Sequence, residues 1–290
     1  MEANVSHFKT LYKTIRRIIG LLGMSARMDL AWLLRDTKFA LVGITGDFIF
    51  NISTLSSIYL IALRFGGIGG MSTDEVLFML GFSTLTTGLF ILFGASNNFY
   101  ISRIIGRGQL DHLWMQPLPL WMQLFTSGFI PFTGGGNFLA GIGVIVYSTR
   151  RLGLAVTPQW LVMLAAYALC SVAIVVARSY LVSTAAFYAP VAAEEIATTA
   201  INGTWMLSTF PLSGVPRWLQ WSLITILPEG LMAWFPSLAL LGKPPMGLTA
   251  VYPFAYALII TLASYFVFQK GMRHYVRTGS NRYVPFGFRR

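Results

Sequence analysis

The sequence predicts an all-α integral membrane protein, and three observations lead to this fold class. Of the 290 residues, 55% are hydrophobic and only 11% are charged, whereas soluble domains carry about 25% charged residues. Apolar stretches long enough to cross a bilayer recur along the chain. Basic residues cluster near its two ends, without a recognisable nucleic-acid module, so the net charge of +11 does not indicate nucleic-acid binding. A water-soluble fold of this composition would expose large apolar patches and aggregate.

Residues 1–39 are predicted to form amphipathic helices at the membrane surface. In "FKTLYKTIRRIIGLL", which begins at Phe8, apolar side chains recur at helical spacing. Lys9, Lys13, Arg16 and Arg17 occupy the other side of that helix. A helix of this kind lies in the membrane interface, with its cations near the lipid headgroups. The alternative is a helix that packs on a partner subunit.

Six transmembrane helices are predicted within residues 40–269, because six segments supply about 20 mostly apolar residues each. Their approximate ranges are 40–63, 75–98, 120–147, 159–188, 218–240 and 251–269. Pro131 and Gly134–Gly136 interrupt the third segment, so a kink or break is expected there.

Two later segments depart from the pattern of a simple apolar span. The fifth candidate, 218–240, contains Pro228, Glu229 and Pro236, and it reads as a span followed by a re-entrant turn. The segment Val191–Pro216 carries two adjacent glutamates and two prolines. We expect it to form an interfacial helix and a loop rather than a seventh span.

The distribution of basic residues predicts the orientation. Six spans put both termini on one side, and that side holds 16 of the 21 Lys and Arg residues, mostly before residue 40 and after residue 269. The opposite side holds only Arg64, Arg150, Arg151 and Lys243, and Arg178 lies within a span. Because cytoplasmic loops are enriched in Lys and Arg, both termini are predicted to be cytoplasmic, including the basic tail 270–290, in a multi-pass protein of the plasma membrane.

Residues 99–119 form a predicted cytoplasmic loop between the second and third spans. Within it, "RIIGRGQLDHLWMQPLP" places charged and aromatic residues between two nearly uncharged stretches. Its length fits a short helix along the membrane surface, ended by Pro117 and Pro119. The side chains expected to make contacts with another protein are Arg103, Arg107, Asp111, His112, Trp114 and Met115. The alternative is a plain connector, since any loop needs polar residues.

Five segments share their order and spacing with a known family, and one of them, "STDEVLFMLGF", opens the second span. "ARMDLAWLLRDTKFAL" precedes the first span like an elbow helix. "GRGQLDHLWMQPL" matches a Gly-x-x-Asp-x-x-Leu-x-x-Pro pattern at Gly108, Asp111 and Pro117. "FPLSGVPRWLQ" is similar to a paired Pro-rich segment, and "KGMRHYVRTGS" to a terminal Gly-Leu-x-x-Tyr-x-x-x-Gly-Ser, with Met272 in place of leucine. Together, over about Ala26 to Tyr283, they resemble the permease subunits of ABC-2-type transporters.

The resemblance implies an ABC-2-type exporter permease fold, with an elbow helix and a cytoplasmic coupling helix in the 99–119 loop. It also implies two kinds of partner: a dimer of ATPase subunits, which holds ATP and Mg, and a second permease, identical or a sister chain. The chain has no Gly-x-x-x-x-Gly-Lys-Ser/Thr phosphate loop. It is therefore expected to be no enzyme and to hold no cofactor itself. The expected function is ATP-driven export of a hydrophobic or amphipathic small molecule by alternating access.

Three charged residues are predicted within the membrane, where charges are costly and face a partner or a cavity. Asp47 lies early in span one and Arg178 late in span four, both in the cytoplasmic half, so we expect them to pair. Glu229 follows Pro228 in a broken span and is the best candidate for a polar group near a translocation path. A capping role at the outer surface is the alternative for Glu229.

Two other classes of membrane protein fit the sequence less well. A secondary transporter driven by an ion gradient would be expected to contain inverted repeats, and no convincing repeat is found in the sequence. A membrane enzyme would need a metal cluster, a nucleophile–base pair or paired carboxylates, and no such pattern stands out.

Overall fold

The computed structural model describes residues 2–93 and 101–279, and within these ranges the chain is helical and forms no β-strand. The predicted all-α class is confirmed. Residues 94–98 of the predicted second span, 99–100 of the predicted loop and 280–290 of the predicted tail lie outside the described residues. The α-helices of the described ranges are α1 Glu2–Arg35, α2 Thr37–Phe65, α3 Thr73–Leu92, α4 Ile101–Gly106, α5 Gln109–Trp114, α6 Leu120–Thr126, α7 Gly136–Arg151, α8 Pro158–Ser183, α9 Pro190–Ser208, α10 Arg217–Thr225, α11 Trp234–Leu240 and α12 Tyr252–Thr278.

Four helices of the described ranges are long and apolar enough to cross a membrane. They are α2, α3, α8 with the 3₁₀ turn Thr184–Phe187 that continues it, and α12. Helix α10 and the segment Pro228–Leu240 give a fifth candidate if counted together, although they are bent by 76°. Apolar helices of this length and number are those of a multi-pass membrane protein.

Helix α3 is the centre of the bundle and is buried along most of its length. Its main neighbour is α7, and glycines bring the two backbones together. A Cβ atom at Gly88 would lie 2.2 Å from the backbone nitrogen of Phe138, and one at Gly141 would lie 2.4 Å from that of Leu85. Small residues allow this close approach in membranes, where helix association depends on packing.

The first turn of α3 is held by a capping box and two ion pairs. The Ser72 hydroxyl accepts from the Glu75 backbone N–H, and the Glu75 carboxylate accepts from that of Ser72. Asp74 lies 3.4 Å from Arg151 at the end of α7, and Glu75 lies 2.5 Å from Lys243 after α11. Arg151 and Lys243 are two of the four basic residues that the sequence analysis places on the side opposite the termini, and each has a carboxylate partner.

The predicted break in the third segment is present between α6 and α7. The backbone there turns through residues 127–135, and Asp29 of α1 satisfies its exposed donors. The Asp29 carboxylate, itself buried, accepts hydrogen bonds from the N–H groups of Phe132 and Thr133, at 2.8 and 3.1 Å, and from the Thr133 hydroxyl. The N-terminal helix is therefore fastened to the break.

Helices α8 and α12 pack side by side and run in the same direction. Near their starts, the Tyr167 hydroxyl donates to the carbonyl oxygen of Ala250 at 2.7 Å. Near their ends, the rings of Tyr180 and Phe268 lie 5.2 Å apart. Helix α8 contains Arg178 of the buried ion pair described below. The 101–119 loop packs against the ends of both helices.

A helix followed by a loop is present over Val191–Pro216, as the sequence predicts, and the helix is α9, Pro190–Ser208. Helix α9 buries one face in the bundle, at Ala193, Ala197, Ile201, Thr204 and Ser208. The opposite face exposes polar residues such as Glu195 and Asn202, which lower the mean hydropathy of the segment.

The predicted fifth segment, 218–240, forms a hairpin whose two ends lie at the same end of the bundle. Near its start, the Gln220 amide donates to the carbonyls of Ser213 and Val215, and the adjoining Gly214 touches Gly69. After its end, Lys243 reaches Glu75. Gly69 lies in the turn between α2 and α3, and Glu75 lies in the first turn of α3. The 218–240 segment therefore does not run through the bundle from one end to the other. Its tip is the 3₁₀ turn Pro228–Leu231.

Candidate functional sites: a loop and a buried ion pair

The loop after α3 contains two short helices that meet at a glycine. Gly108, between α4 and α5, has φ +65°, a left-handed conformation that glycine adopts without strain. Helix α5 ends at Trp114, and Pro117 and Pro119 follow it, as the sequence predicts. The Gln123 amide of α6 donates to the carbonyls of Leu113 and Leu118, at 2.8 and 2.7 Å, and so fixes this exit from the loop.

The apolar side chains of the loop divide into two groups. One group faces inward and consists of Ile101, Ile105 and Leu110. These side chains pack with Phe187, which follows α8, and with Phe268 of α12. The other group faces outward, with Trp114 41% exposed and Met115 75% exposed. The inward group fastens the loop to the bundle, and the outward group is accessible to another protein.

The predicted polar contact residues of the loop are mostly exposed. Arg107, Asp111 and His112 lie at the surface, and Arg103 is half-buried. One carboxylate oxygen of Asp111 accepts a hydrogen bond from the hydroxyl of Tyr275, at 3.0 Å. Tyr275 was missed by sequence reasoning, although it stands in the terminal segment that resembles a family motif.

The predicted ion pair between Asp47 and Arg178 is wrong. Arg178 forms its ion pair with Glu229, at the tip of the 228–231 turn, and it also donates to the Thr204 hydroxyl. Asp47 is exposed in the middle of α2. The hairpin brings Glu229 to Arg178, an approach that a straight fifth span would not have allowed.

Glu229 is the most deeply buried member of this ion pair. It is 2% exposed, and the Arg178 side chain is 13% exposed. One oxygen, Oε1, faces Arg178 and Thr204, whereas Oε2 is buried without a hydrogen-bond partner. With Thr204, the pair joins α8, α9 and the hairpin tip, so it ties together three successive elements of the chain.

A family model described as "ABC-2 family transporter protein" matches residues 48–279, which include both the loop and the ion pair. The chain belongs to the ABC-2 transporter family. No curated protein and no solved structure matches it.

Membership of the ABC-2 family assigns a general role to the chain. An ABC-2 permease is a membrane subunit without an ATP-binding site of its own, and such subunits generally work with a separate ATPase. The family does not favour the alternative of an ion-gradient-driven transporter. The 101–119 loop and the Arg178–Glu229 pair are thus candidate parts of an ABC-2 permease.

Proposed function

We propose that this chain is one permease subunit of an ATP-driven exporter and that its 99–119 loop docks on the ATPase. The observation that supports this most directly is the division of the loop. Ile105 and Leu110 are buried against the bundle, whereas Trp114 and Met115 are exposed beside Arg107, Asp111 and His112. Exposed aromatic and Met side chains within a polar surface are typical of a protein–protein contact.

The attachment of the loop supports a mechanical role. ATP and Mg bind to the ATPase dimer in this proposal, and closure of that dimer pushes on α5. The loop packs on Phe187 at the end of α8 and on Phe268 of α12, and the carbonyl of Pro190 lies against Gly106. A push on the loop therefore moves the ends of three helices together, which switches the permease between inward- and outward-facing states.

The proposed topology has six crossings and a hairpin. The crossings are α2, α3, the pair α6–α7, α8, α9 and α12, with both termini cytoplasmic. The hairpin 217–240 dips in from the outer face, so Arg217 lies outside in this topology. The turn 66–71, Lys243 and the end of α7 also lie outside, and the bias of basic residues towards the cytoplasmic side remains large.

The exposure of α2 supports a second permease subunit, identical or a sister chain. Asp47 stands about 15 Å along the axis of α2, at 1.5 Å per residue, and its side chain is exposed. A carboxylate at that depth does not face acyl chains, so it faces a partner or an aqueous cavity. A cavity between two permeases, with apolar walls, suits a hydrophobic or amphipathic cargo.

The docking proposal predicts that Trp114→Ala weakens association with the ATPase. Truncation of an aromatic anchor at an interface costs about 2 kcal/mol or more when it is a hot spot, which corresponds to about thirtyfold in Kd. The tagged chain, purified from its own membranes in mild detergent, should bring down an ATPase with a phosphate-loop motif. The native mass should show two permease and two ATPase chains. Trp114→Ala should reach the membrane at normal levels and recover much less ATPase.

The matched control is Trp218→Ala, because Trp218 is also an exposed tryptophan, 70% accessible, but lies at the other end of the bundle. This control should recover as much ATPase as the native chain. A stable, transport-active chain that carries no ATPase would contradict the proposed function.

The topology predicts which sites a membrane-impermeant thiol reagent can reach. Ala155 and Gln116 are both exposed, at opposite ends of the bundle, whereas the native Cys170 is buried. In intact cells, Ala155→Cys should be labelled, and Gln116→Cys should be labelled only after permeabilisation. The reverse pattern would invert the orientation, and labelling of both in intact cells would contradict six crossings.

A further inference from the structure

Tyr275 lies at the junction between the loop and α12. Its side chain is almost fully buried, at 4% exposed. The ring centroid lies 5.9 Å from that of Trp114 in α5 and 5.9 Å from that of Phe187 after α8, in edge-to-face geometry. Its hydroxyl donates to Asp111 at 3.0 Å. One side chain of α12 thus contacts both the exposed aromatic residue and the acidic residue of the loop.

The bond between Tyr275 and Asp111 differs in kind from the apolar contacts by which the loop packs on the bundle. Ile105 and Leu110 pack on the bundle through apolar surfaces, which tolerate small sliding movements because burial of apolar area has no preferred direction. A hydrogen bond to a carboxylate has a short optimal distance and a preferred angle, and it is stronger than a neutral one. It therefore fixes the position of α5 along α12.

The end of α12 is closely packed against its neighbour. A Cβ atom at Gly271, one turn before Tyr275, would lie 2.3 Å from a ring carbon of Phe187. Helix α12 therefore has little room to move relative to the end of α8. A displacement that reaches Tyr275 is passed to both helices.

We propose that Tyr275 is a positioning residue that transmits the movement of the loop to α12, through the bond from its hydroxyl to Asp111. This inference rests on the proposed function, since it assumes that an ATPase moves the loop. The ring of Tyr275 keeps the loop attached, and the hydroxyl sets how far α12 follows it. Loss of the hydroxyl leaves the ATPase docked but reduces the transport obtained per ATP hydrolysed.

The test is Tyr275→Phe in the complete complex, reconstituted in lipid vesicles. The ring contacts with Trp114 and Phe187 remain, so ATPase recovery should equal that of the native chain. Transport per ATP hydrolysed should fall about three- to tenfold, the range expected from the net contribution of one ordinary hydrogen bond, because the exposed Asp111 carboxylate stays hydrated. Tyr265→Phe is the matched control, because Tyr265 is an exposed tyrosine of the same helix, and it should leave this ratio unchanged.

A double-mutant cycle separates positioning from a merely structural role. Asp111→Ala removes the acceptor, so adding Tyr275→Phe to it should cause no further fall in transport per ATP. A full additional fall in the double variant would overturn the proposal. Unchanged coupling in Tyr275→Phe would overturn it as well, and the docking proposal would stand. Loss of ATPase recovery in Tyr275→Phe would show that the hydroxyl serves docking rather than transmission.

Discussion

Replacing Glu229 with glutamine is expected to lower the free energy of unfolding by about 3–5 kcal/mol, because the change strands the buried charge of Arg178. Glu229 is 2% exposed and forms the ion pair that joins the hairpin tip to α8. Thr204 offers Arg178 only a hydroxyl in compensation. Reversible unfolding of the purified protein in detergent, followed by helical signal against denaturant, measures the loss.

The double variant Glu229→Gln with Arg178→Gln should recover much of that stability, since no charge is then left buried. Asp47→Asn provides the comparison for the pairing first expected from sequence, and it should change stability little in the isolated subunit, because Asp47 is exposed there. If the losses from Glu229→Gln and Arg178→Gln simply add, the two side chains do not stabilise each other.

Gly88→Ala is expected to disrupt the packing of α3 on α7. The new Cβ would lie 2.2 Å from the backbone nitrogen of Phe138 and 2.5 Å from its Cα, and backbone atoms cannot move aside by a rotamer change. We expect a cost at or above the upper end of the about 1–3 kcal/mol typical of overpacked cores. The yield of folded protein and its melting temperature in detergent should both fall.

Gly143→Ala is the control for this change, since Gly143 lies in α7 but a Cβ there meets nothing within 4 Å. Alanine is favoured over glycine in a helix interior by about 1 kcal/mol, so this variant should be as stable as the native chain or more so. Equal melting temperatures for the two variants would show that α3 and α7 are not in backbone contact.

Backbone chemistry made several local features predictable. Pro131 with Gly134–Gly136 indicated the break between α6 and α7, and Pro228 indicated a bend before Glu229; the structure has both. Proline removes a donor and glycine weakens a helix wherever they stand, so these signals do not depend on distant residues. The end of α5 at Trp114, before Pro117 and Pro119, follows from the same rule.

The partner of Arg178 could not be predicted, because the choice depended on the path of the chain. Counting along straight spans put Asp47 and Arg178 at similar depth. The hairpin carries Glu229 to Arg178 instead, and hydropathy does not distinguish a hairpin from a crossing of equal length. Tyr275 was missed for a related reason, since its sequence neighbours give no sign of its hydrogen-bond partner 164 positions earlier.

Average hydropathy predicted an interfacial position for the helix that the structure shows as α9. Ala193 and Ala197 bury little area each, yet they allow close contact between helices. Exposed polar residues on the other face, including Glu195, lowered the average below that of a lipid-facing span. A helix that meets neighbouring protein on one side and a partner or cavity on the other does not need a uniformly apolar sequence.

The two ion pairs at the first turn of α3 can form only late in the synthesis of the protein. Asp74 cannot form its ion pair until Arg151 has been made. Glu75 cannot form its own until Lys243 has been made, 168 residues later. While the chain is still being made, the start of α3 carries two carboxylates whose partners do not yet exist. The first turn of this central helix is therefore fixed only after the hairpin has been made and has folded back. A nascent chain that stops before residue 243 has every residue of α3 but lacks the cation that holds its first turn to the hairpin.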